Sequence, residues 1–467
     1  MQPLGPGYRF VDRKTEIRAV GDSPGGAGIH VRINDRFENT GDRSLHSMEV
    51  RLPEGPTFPL QNLRMTINGH EVPPQRASDA DHPFMHTLFD PVWQQHQSRE
   101  IATEWDLMAD SAGGGTAGSS AVAFYVADET ALPLWQAPSG VFARGGPDPM
   151  NASLTVIAPA DFRVLAPGKP LKSGTVGKLV AHHFQIRLSE HFLPYVVAGR
   201  YSEQKIQTSQ GEVNFWTLHP LDGQQAQTAA VRLAASVGVY TDFFGPVSKN
   251  KLPMHIVEAP GDIPGEFEDA SIAGGAPFPW GVLLDHRAFA QGLANESILE
   301  LAEYELARTW FGWRMRPSPE AQILMGRGAG LFGLVVAAEE RGADQRQHTV
   351  TSLLNRYDES RRIAADRRLL ELPAVYSRAE SISTGYRAAL FFVALEDLCG
   401  RDNLRAAFQQ IVRARGGDEV THQDLRAALE ATFPRDLAPM FRRWLNRPGV
   451  PDEFRTHYAN SAGMAGR

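Results

Sequence analysis

The chain of 467 residues carries one cysteine, Cys399. A single thiol excludes an internal disulfide and favours a reducing, cytoplasmic setting. Within LEDLCG it reads as a small core group rather than a reactive thiol. Long apolar runs are missing too, and none approaches the roughly 18 residues that a bilayer crossing needs. The opening MQPLGPGYRFVDRKTE offers no charged n-region or apolar h-region, so no signal peptide is expected. No basic block occurs either. With 47 Lys and Arg against 54 Asp and Glu the formal charge is -7, which argues against nucleic acid or an anionic membrane as main partner. What the chain has is 42% hydrophobic content, over a length that suits two or three packed domains.

Residues 1–208 consist of short alternating runs broken by Gly, Pro, Asn and Asp. IHVRINDRFEN, SMEVRLPEG, LRMTINGHEV, EIATEWDLM, NASLTVIAP, FRVLAPG, KLVAHHFQIRL and YVVAGRYSE read as half-buried strands. Many such strands with turn signals predict a large antiparallel β-sandwich or saddle. DSAGGGTAGSS, residues 110–120, is low in complexity and reads as a mobile loop. His82 and His86 stand four apart, but Pro83, a loop-like setting and the lack of a third ligand argue against a metal there. His182 and His183 are neighbours in a strand, so they face opposite ways and cannot chelate together. Residues 209–467 change texture: a strand VNFWTLHP, a periodic helix AQTAAVRLAASVGVYTDFFG ending at glycine, a strand MHIVEAP, then further helices. The expected class is α+β, a β-rich N-terminal domain followed by an α/β domain that is mostly helical towards its end.

The central stretch runs from Leu301 to Gly333, LAEYELARTWFGWRMRPSPEAQILMGRGAGLFG. Ser297 and Glu300 form an S-x-x-E capping pattern in front of it. Ile298, Leu299, Leu301, Ala302, Leu306, Trp310 and Phe311 recur at helical spacing. On that helix Tyr304 and Arg308 share a face, with Glu305 beside them. The stretch resembles the zinc-site segment of the gluzincin aminopeptidases, the aminopeptidase N family. That family's pattern is His-Glu-x-x-His, a Trp-Phe-Gly run, and a third-ligand Glu about one helix later. The resemblance sets Tyr304 and Arg308 on the two histidines and Glu305 on the general base. Trp310-Phe311-Gly312 falls on the run, and Arg327 on the third ligand. Aligning Trp280-Gly281 with the family's Trp-Gly puts Phe278 where a Glu holds the substrate's free amino terminus. Arg387 takes the Lys of a Tyr-x-Lys-Gly-Ala helix and Gly385 the transition-state tyrosine, with Tyr386 one residue off. WLNRPGVP, residues 444–451, matches the end of the catalytic domain. The resemblance therefore implies a thermolysin-like domain behind a β-rich one, with a degenerate zinc site, no metal and no cofactor.

Two arginines against one glutamate leave three readings open. In the first, Arg308, with or without Arg327, pairs with Glu305 in the volume of metal and water, and Tyr304 is a hydrogen-bond partner. In the second, the excess positive charge takes an anionic ligand in the interdomain cleft, helped by backbone N–H groups of Gly326 to Gly330. In the third, Glu258, Asp285, His286, Glu305 and Tyr386 supply acid–base groups for a hydrolase or aminopeptidase with a zinc-independent site. The expected function is binding without hydrolysis: a peptide, an anionic ligand or a protein partner. Tyr304, Arg308, Arg327, Phe278, Trp280 and Tyr386 are the ligand-binding candidates, and Glu305 is a retained but inactive catalytic position.

Overall fold

The fold is given by a computed structural model. It describes residues 8–20, 28–51, 61–72, 75–79, 82–108, 117–119, 122–126, 134–136, 151–187, 196–247, 254–263, 273–278, 281–311, 315–371, 377–415 and 419–464. The chain divides into two compact units. One comprises residues 1–203, 216–220 and 258–264, and the other residues 204–215, 221–257 and 265–467.

Period-two patterning builds the first unit. Along Gly28–Asn39 the side chains of Ile29, Val31, Ile33 and Phe37 are buried, while Arg32 and Arg36 are exposed. This strand lies inside a nine-stranded sheet, between Tyr8–Val20 and Ser98–Met108. A charged pair sits on the buried side of that sheet, where each charge is met by the other. Arg13 and Asp35 are direct register partners, and the guanidinium donates twice to the carboxylate, at 2.6 and 2.7 Å. Two four-stranded sheets complete the unit.

Three expectations need correction here. Pairing is not wholly antiparallel: Tyr8–Val20 runs parallel to Asn151–Pro159, from Asp12 opposite Asn151 to Arg18 opposite Ile157. A parallel pair needs a long crossover, and the many strands between these two provide it. His82 and His86 lie on a strand, His82–Trp93, rather than in a loop; Pro83 pairs opposite Ser78 within it. YVVAGRYSE is two strands in two sheets, Val196–Gly199 and Ser202–Thr208. Of the low-complexity stretch, Ala117–Ser119 forms a short strand, and residues 110–116 lie outside the described residues.

Among the described residues the second unit joins a five-stranded sheet to ten α-helices. The sheet order is Ser202–Thr208, Gly211–Thr217, Met254–Glu258, Gly281–Leu284 and Gly275–Phe278, which leaves the last strand at an edge. The helices are α1 (Gly223–Phe244), α2 (His286–Gln291), α3 (Glu296–Arg308), α4 (Ala329–Glu340), α5 (Ala343–Ser360), α6 (Arg378–Cys399), α7 (Arg401–Arg415), α8 (His422–Thr432), α9 (Ala438–Leu445) and α10 (Asp452–Met464). A π-helix, Gln322–Gly328, leads directly into α4. Every residue of α4 from Ala329 to Ala338 is buried, the mark of a helix enclosed on all sides.

The start of α3 differs from the sequence pattern. The N-cap of α3 is Asn295, whose side chain accepts from the Ser297 N–H at 3.0 Å, so Ser297 and Glu300 do not form the capping box. Glu300 instead accepts from Arg356 at 3.3 Å. The segment after Tyr357 leaves the helix at Ser360, and residues 361–370 are not helical. That irregular segment is fastened by Arg387, which is fully buried. Its Nη1 lies 3.0 Å from Asp366 Oδ1 and donates to the Arg447 carbonyl at 3.2 Å, while Nη2 donates to the Arg367 carbonyl. Asp366 also accepts from the Tyr357 hydroxyl at 2.6 Å and from the Gly449 N–H. One buried pair thus ties α6 to residues 444–451. Cys399 closes α6 as a buried residue, and burial pushes its thiol up to about 11. No helix among the described residues is long and apolar enough to cross a membrane.

Candidate functional site

α3 carries the centre of the candidate site because it buries polar groups as deeply as apolar ones. Tyr304 is 1% exposed and Glu305 is fully buried, alongside Leu301, Ala302, Leu306 and Ala307. Just past the helix, Trp310 and Phe311 anchor it. The Trp310 indole donates to the Gly245 carbonyl at 2.7 Å, and the Phe311 ring meets that of Phe244 edge-on at 4.8 Å. The Trp-Phe run is therefore packing.

Glu305 and Arg308 form an ion pair one helical turn apart, with Nη1 donating to Oε2 at 2.9 Å. The Glu305 side chain is fully buried, and that of Arg308 is 28% exposed. The Arg308 guanidinium also lies 5.5 Å from the centroid of the Tyr304 ring, a cation–π contact between residues four apart. So α3 brings Tyr304, Glu305 and Arg308 together through side chains that the helix itself positions.

Glycines set how close the neighbours come. A Cβ on Gly275, in the edge strand, would lie 2.9 Å from Glu305 Cγ. One on Gly330, in α4, would lie 2.8 Å from Arg308 Cγ and 3.2 Å from the Tyr304 ring. One on Gly385, in α6, would lie 2.5 Å from Arg327 Cδ. Each charged side chain of the site thus rests its stem on a glycine, where any larger residue forces it to move. The Arg327 Nη1 reaches Ser381 Oγ at 3.4 Å, one turn of α6 before Gly385. Gly328 and Gly333 pack against Ala388 and Ala307 in the same way, so the glycine run serves close helix packing.

The other candidates are spread apart. Phe278 is fully buried in the edge strand, and Tyr386 is 2% exposed on α6. Trp280 and Gly312 lie outside the described residues. Asp285 is the N-cap of α2; it accepts from the Arg287 N–H at 2.7 Å and from its guanidinium at 2.6 Å. His286 Nδ1 is 3.3 Å from the same carboxylate. Glu258 belongs to the first unit, where it clasps a turn. Its carboxylate accepts from the Leu218 and His219 N–H groups at 2.7 and 3.2 Å and contacts His219 Nδ1 at 2.5 Å. The Tyr201 hydroxyl donates to its carbonyl at 2.9 Å, and burial, then the Glu258 charge, pushes that phenol well up.

Sequence reasoning missed a second charged centre on α3. Glu303 is fully buried and accepts from Arg232 at 2.9 and 3.1 Å, Arg341 at 2.9 Å and Ser236 at 2.7 Å. Burial opposes the charge on Arg232, but its bonds to Glu303 and Glu296 outweigh that and raise its pKa. The adjacent Tyr240 phenol donates to the Glu303 carbonyl at 3.2 Å and is pushed well up by burial. Ser381 was also missed; its four-residue spacing from Gly385 was the one signal that pointed to it.

Zinc is the ion that the family resemblance implies, and the donors around Glu305 can be tested against it. A guanidinium has no lone pair to offer and carries positive charge. A phenol is mostly protonated at neutral pH. Among the described residues Glu305 belongs to no group of three His, Cys, Asp or Glu side chains close enough to share an ion. This donor set does not fit zinc.

Comparison with known proteins places the fold. No protein-family model matches the chain, and no curated relative is found by sequence. Solved structures do match over nearly the full length. The M1 zinc metallopeptidase of Deinococcus radiodurans, in a single-site mutant form, superposes with a TM-score of 0.63 at 15% identity, covering 95% of this chain and 96% of that one. The same mutant with a Tyr-Ser-Ala substrate bound gives 0.62 at 15% identity, with 95% of each chain covered. A two-domain M1 zinc metallopeptidase mutant bound to L-arginine gives 0.62 at 14% identity, again covering 95% of each. The chain has the two-domain fold of these peptidases, a β-rich N-terminal part and a largely helical C-terminal part.

Proposed function

We propose that this protein is an inactive counterpart of the zinc aminopeptidases, which holds no zinc and acts by binding a peptide, an anionic ligand or a protein partner at the α3 site. The observation that carries this reading is the Glu305–Arg308 ion pair. A general base must reach a water or substrate proton, and this carboxylate is buried and engaged by a guanidinium at 2.9 Å. A metal ion would also have to sit beside that guanidinium. Two unit charges ~4 Å apart interact by about 4 kcal/mol at an effective dielectric near 20, and a dication would be opposed by roughly twice that. No ligand bond from Arg308 or Arg327 offsets such a cost. The Phe278 position points the same way, since an aromatic ring replaces the carboxylate that the family resemblance implies for the substrate's amino group.

Elemental analysis of the purified protein, paired with hydrolysis assays on aminoacyl reporters and short peptides, tests this. The expected result is far less than one zinc per chain and no turnover, with or without added zinc. Near-equimolar zinc, lost together with activity on chelation, would sink the proposal. Turnover without metal would point to a zinc-independent hydrolase instead.

A further inference from the structure

Independently of the α3 site, we propose that the second unit carries a docking surface for an acidic segment of a protein partner, one that also bears aliphatic side chains. Two short arginine runs build it, RRIAADRR at residues 361–368 and RRWLNR at residues 442–447. Neither holds the five or six like charges in a row that mark a basic block, so the surface exists only because the fold joins them. Their backbones meet at three points. The Leu369 N–H donates to the Leu445 carbonyl at 3.1 Å, and the Gly449 N–H donates to Asp366. One guanidinium, that of Arg387, holds the Arg367 and Arg447 carbonyls, so these two residues start side by side. The Tyr357 ring extends the same surface. Its hydroxyl donates to Asp366 at 2.6 Å, and the Arg361 guanidinium stands 6.0 Å from its centroid.

Charge is unevenly paired across the two runs. Arg367, Arg368 and Arg443 meet Glu380, Glu371 and Glu453 at 2.9, 2.9 and 2.8 Å. Asp366 is taken by Arg387 at 3.0 Å, and Asp358 by Arg455 at 2.7 Å. Arg361, Arg362, Arg442 and Arg447 are exposed, and none of them makes an ion pair among the described residues. The unpaired carboxylates flanking the runs are Glu359 and Asp452. Two positive charges are therefore in excess here, on a chain whose net charge is -7. Like charges held together repel, and a bound carboxylate relieves that repulsion while each arginine fork can take it at two points. Beside Arg362, Ile363 is 69% exposed, the most exposed large hydrophobic side chain among the described residues. Cation and alkyl together decide the partner's class. Burying an isoleucine side chain is worth about 1.5–3 kcal/mol, and a leucine or valine of a polypeptide supplies its complement. A phosphate backbone does not. A long polyanion would also run beyond the surface onto a negative chain, whereas a short acidic segment feels mainly charges within the screening length of about 8–10 Å.

Fluorescence anisotropy of the intact protein with labelled probes tests the inference. The first probe is a peptide that repeats Glu-Glu-Leu four times. Its comparisons are Gln-Gln-Leu and Glu-Glu-Ser peptides of equal length, and oligothymidylate. The Glu-Glu-Leu peptide is expected to bind, and loss of either its charge or its leucines to weaken it by about tenfold or more. Raising the salt from about 50 to about 200 mM should weaken it too. Arg361→Gln with Arg362→Gln, and separately Arg442→Gln with Arg447→Gln, should each weaken it by about tenfold. Arg64→Gln, at an exposed arginine of the first unit, should change nothing. Ile363→Ser should weaken the Glu-Glu-Leu peptide and leave the Glu-Glu-Ser peptide unaffected, since the lost contact needs both alkyl groups. These side chains are exposed, so the variants should unfold in urea as the parent does; if one arginine pair fails to fold, the other decides. The inference is overturned if the Gln-Gln-Leu peptide binds as tightly as the acidic one, if the acidic peptide ignores either folded arginine pair, or if no peptide binds. Oligothymidylate binding more tightly than the acidic peptide, through the same arginines, would overturn it in favour of a nucleic-acid surface. Zinc content and turnover bear on the α3 site alone, so either proposal can fail without the other.

Discussion

Glu305→Gln and Arg308→Met each remove one half of the same ion pair, yet the structure makes their costs unequal. Glu305 is fully buried, and Arg308 is 28% exposed. With Glu305 neutralised, Arg308 can turn towards water and keep its hydration, so the loss should be about 1 kcal/mol, the scale of one hydrogen bond. With Arg308 replaced by Met, the new side chain still covers Gly330 and the Tyr304 ring, and packing changes little. The carboxylate is then left buried without its guanidinium. Removing one partner of a buried pair typically costs 3–5 kcal/mol, and the lower end, about 3 kcal/mol, applies because Arg308 was partly hydrated. The double variant should recover at least about 1 kcal/mol relative to Arg308→Met alone, since the stranded charge has gone. Urea titrations followed by tryptophan fluorescence, compared at a common slope, measure all three. The reasoning fails if Glu305→Gln costs as much as Arg308→Met, or if the two single losses simply add.

Glycine contacts give a paired test. Gly385→Ala should push the Arg327 stem aside, while overall stability changes by under about 1 kcal/mol because alanine favours the helix. Gly328→Ala meets the Ala388 Cβ instead, which is fixed to a helix backbone just behind it, and should cost about 2 kcal/mol in a urea titration. At the start of α6, the Ser377–Glu380 capping box holds the Glu380 carboxyl below its ordinary value of 4.5, chiefly through the Ser377 N–H. A depressed carboxylate contributes stability above its unfolded pKa and loses it as pH falls through the folded one. Glu380→Gln should therefore cost about 1 kcal/mol at pH 7 and progressively less below about pH 4.5, as melting curves across pH would show. Finally, Tyr304→His with Arg308→His and Arg327→Glu should restore weak zinc binding without activity, because Phe278 and Gly385 stand where the family resemblance puts the amine-binding carboxylate and the transition-state tyrosine. Chelator competition reads the affinity, and a folded triple variant that binds no zinc means that the assumed register is wrong.

Much of this was legible in the sequence because it depends on local period. The alternation along Gly28–Asn39 and the helical spacing from Ile298 to Phe311 needed no distant partner to be read. Glycine at the end of α1 is likewise local chemistry. What stayed hidden depends on residues far apart in the chain. Ser297 and Glu300 satisfy the capping pattern, but Asn295 caps α3 and Glu300 turns to Arg356. Glu303 reads as an ordinary polar helix position, and only Arg232 and Arg341, distant in sequence, make its burial tolerable. The π-helix was not anticipated because its wider turn shifts apolar positions too little over seven residues to stand out. Tyr304, Glu305 and Arg308 could be grouped from spacing alone, but the glycines beneath the site side chains come from three separate elements. Sequence spacing does not join those.

The seat that Gly385 gives to Arg327 makes substitutions at these two positions epistatic. While the arginine stem lies there, a Cβ at 385 already stands 2.5 Å from its Cδ, and a phenol ring has no volume to enter. While a ring occupies that volume, an arginine stem has nowhere to lie. Each change is tolerated only in the background left by the other, so the viable route between the two arrangements passes through glycine at 385 with a shorter side chain at 327. A chain carrying both arginine at 327 and a bulky residue at 385 is the combination that this packing forbids.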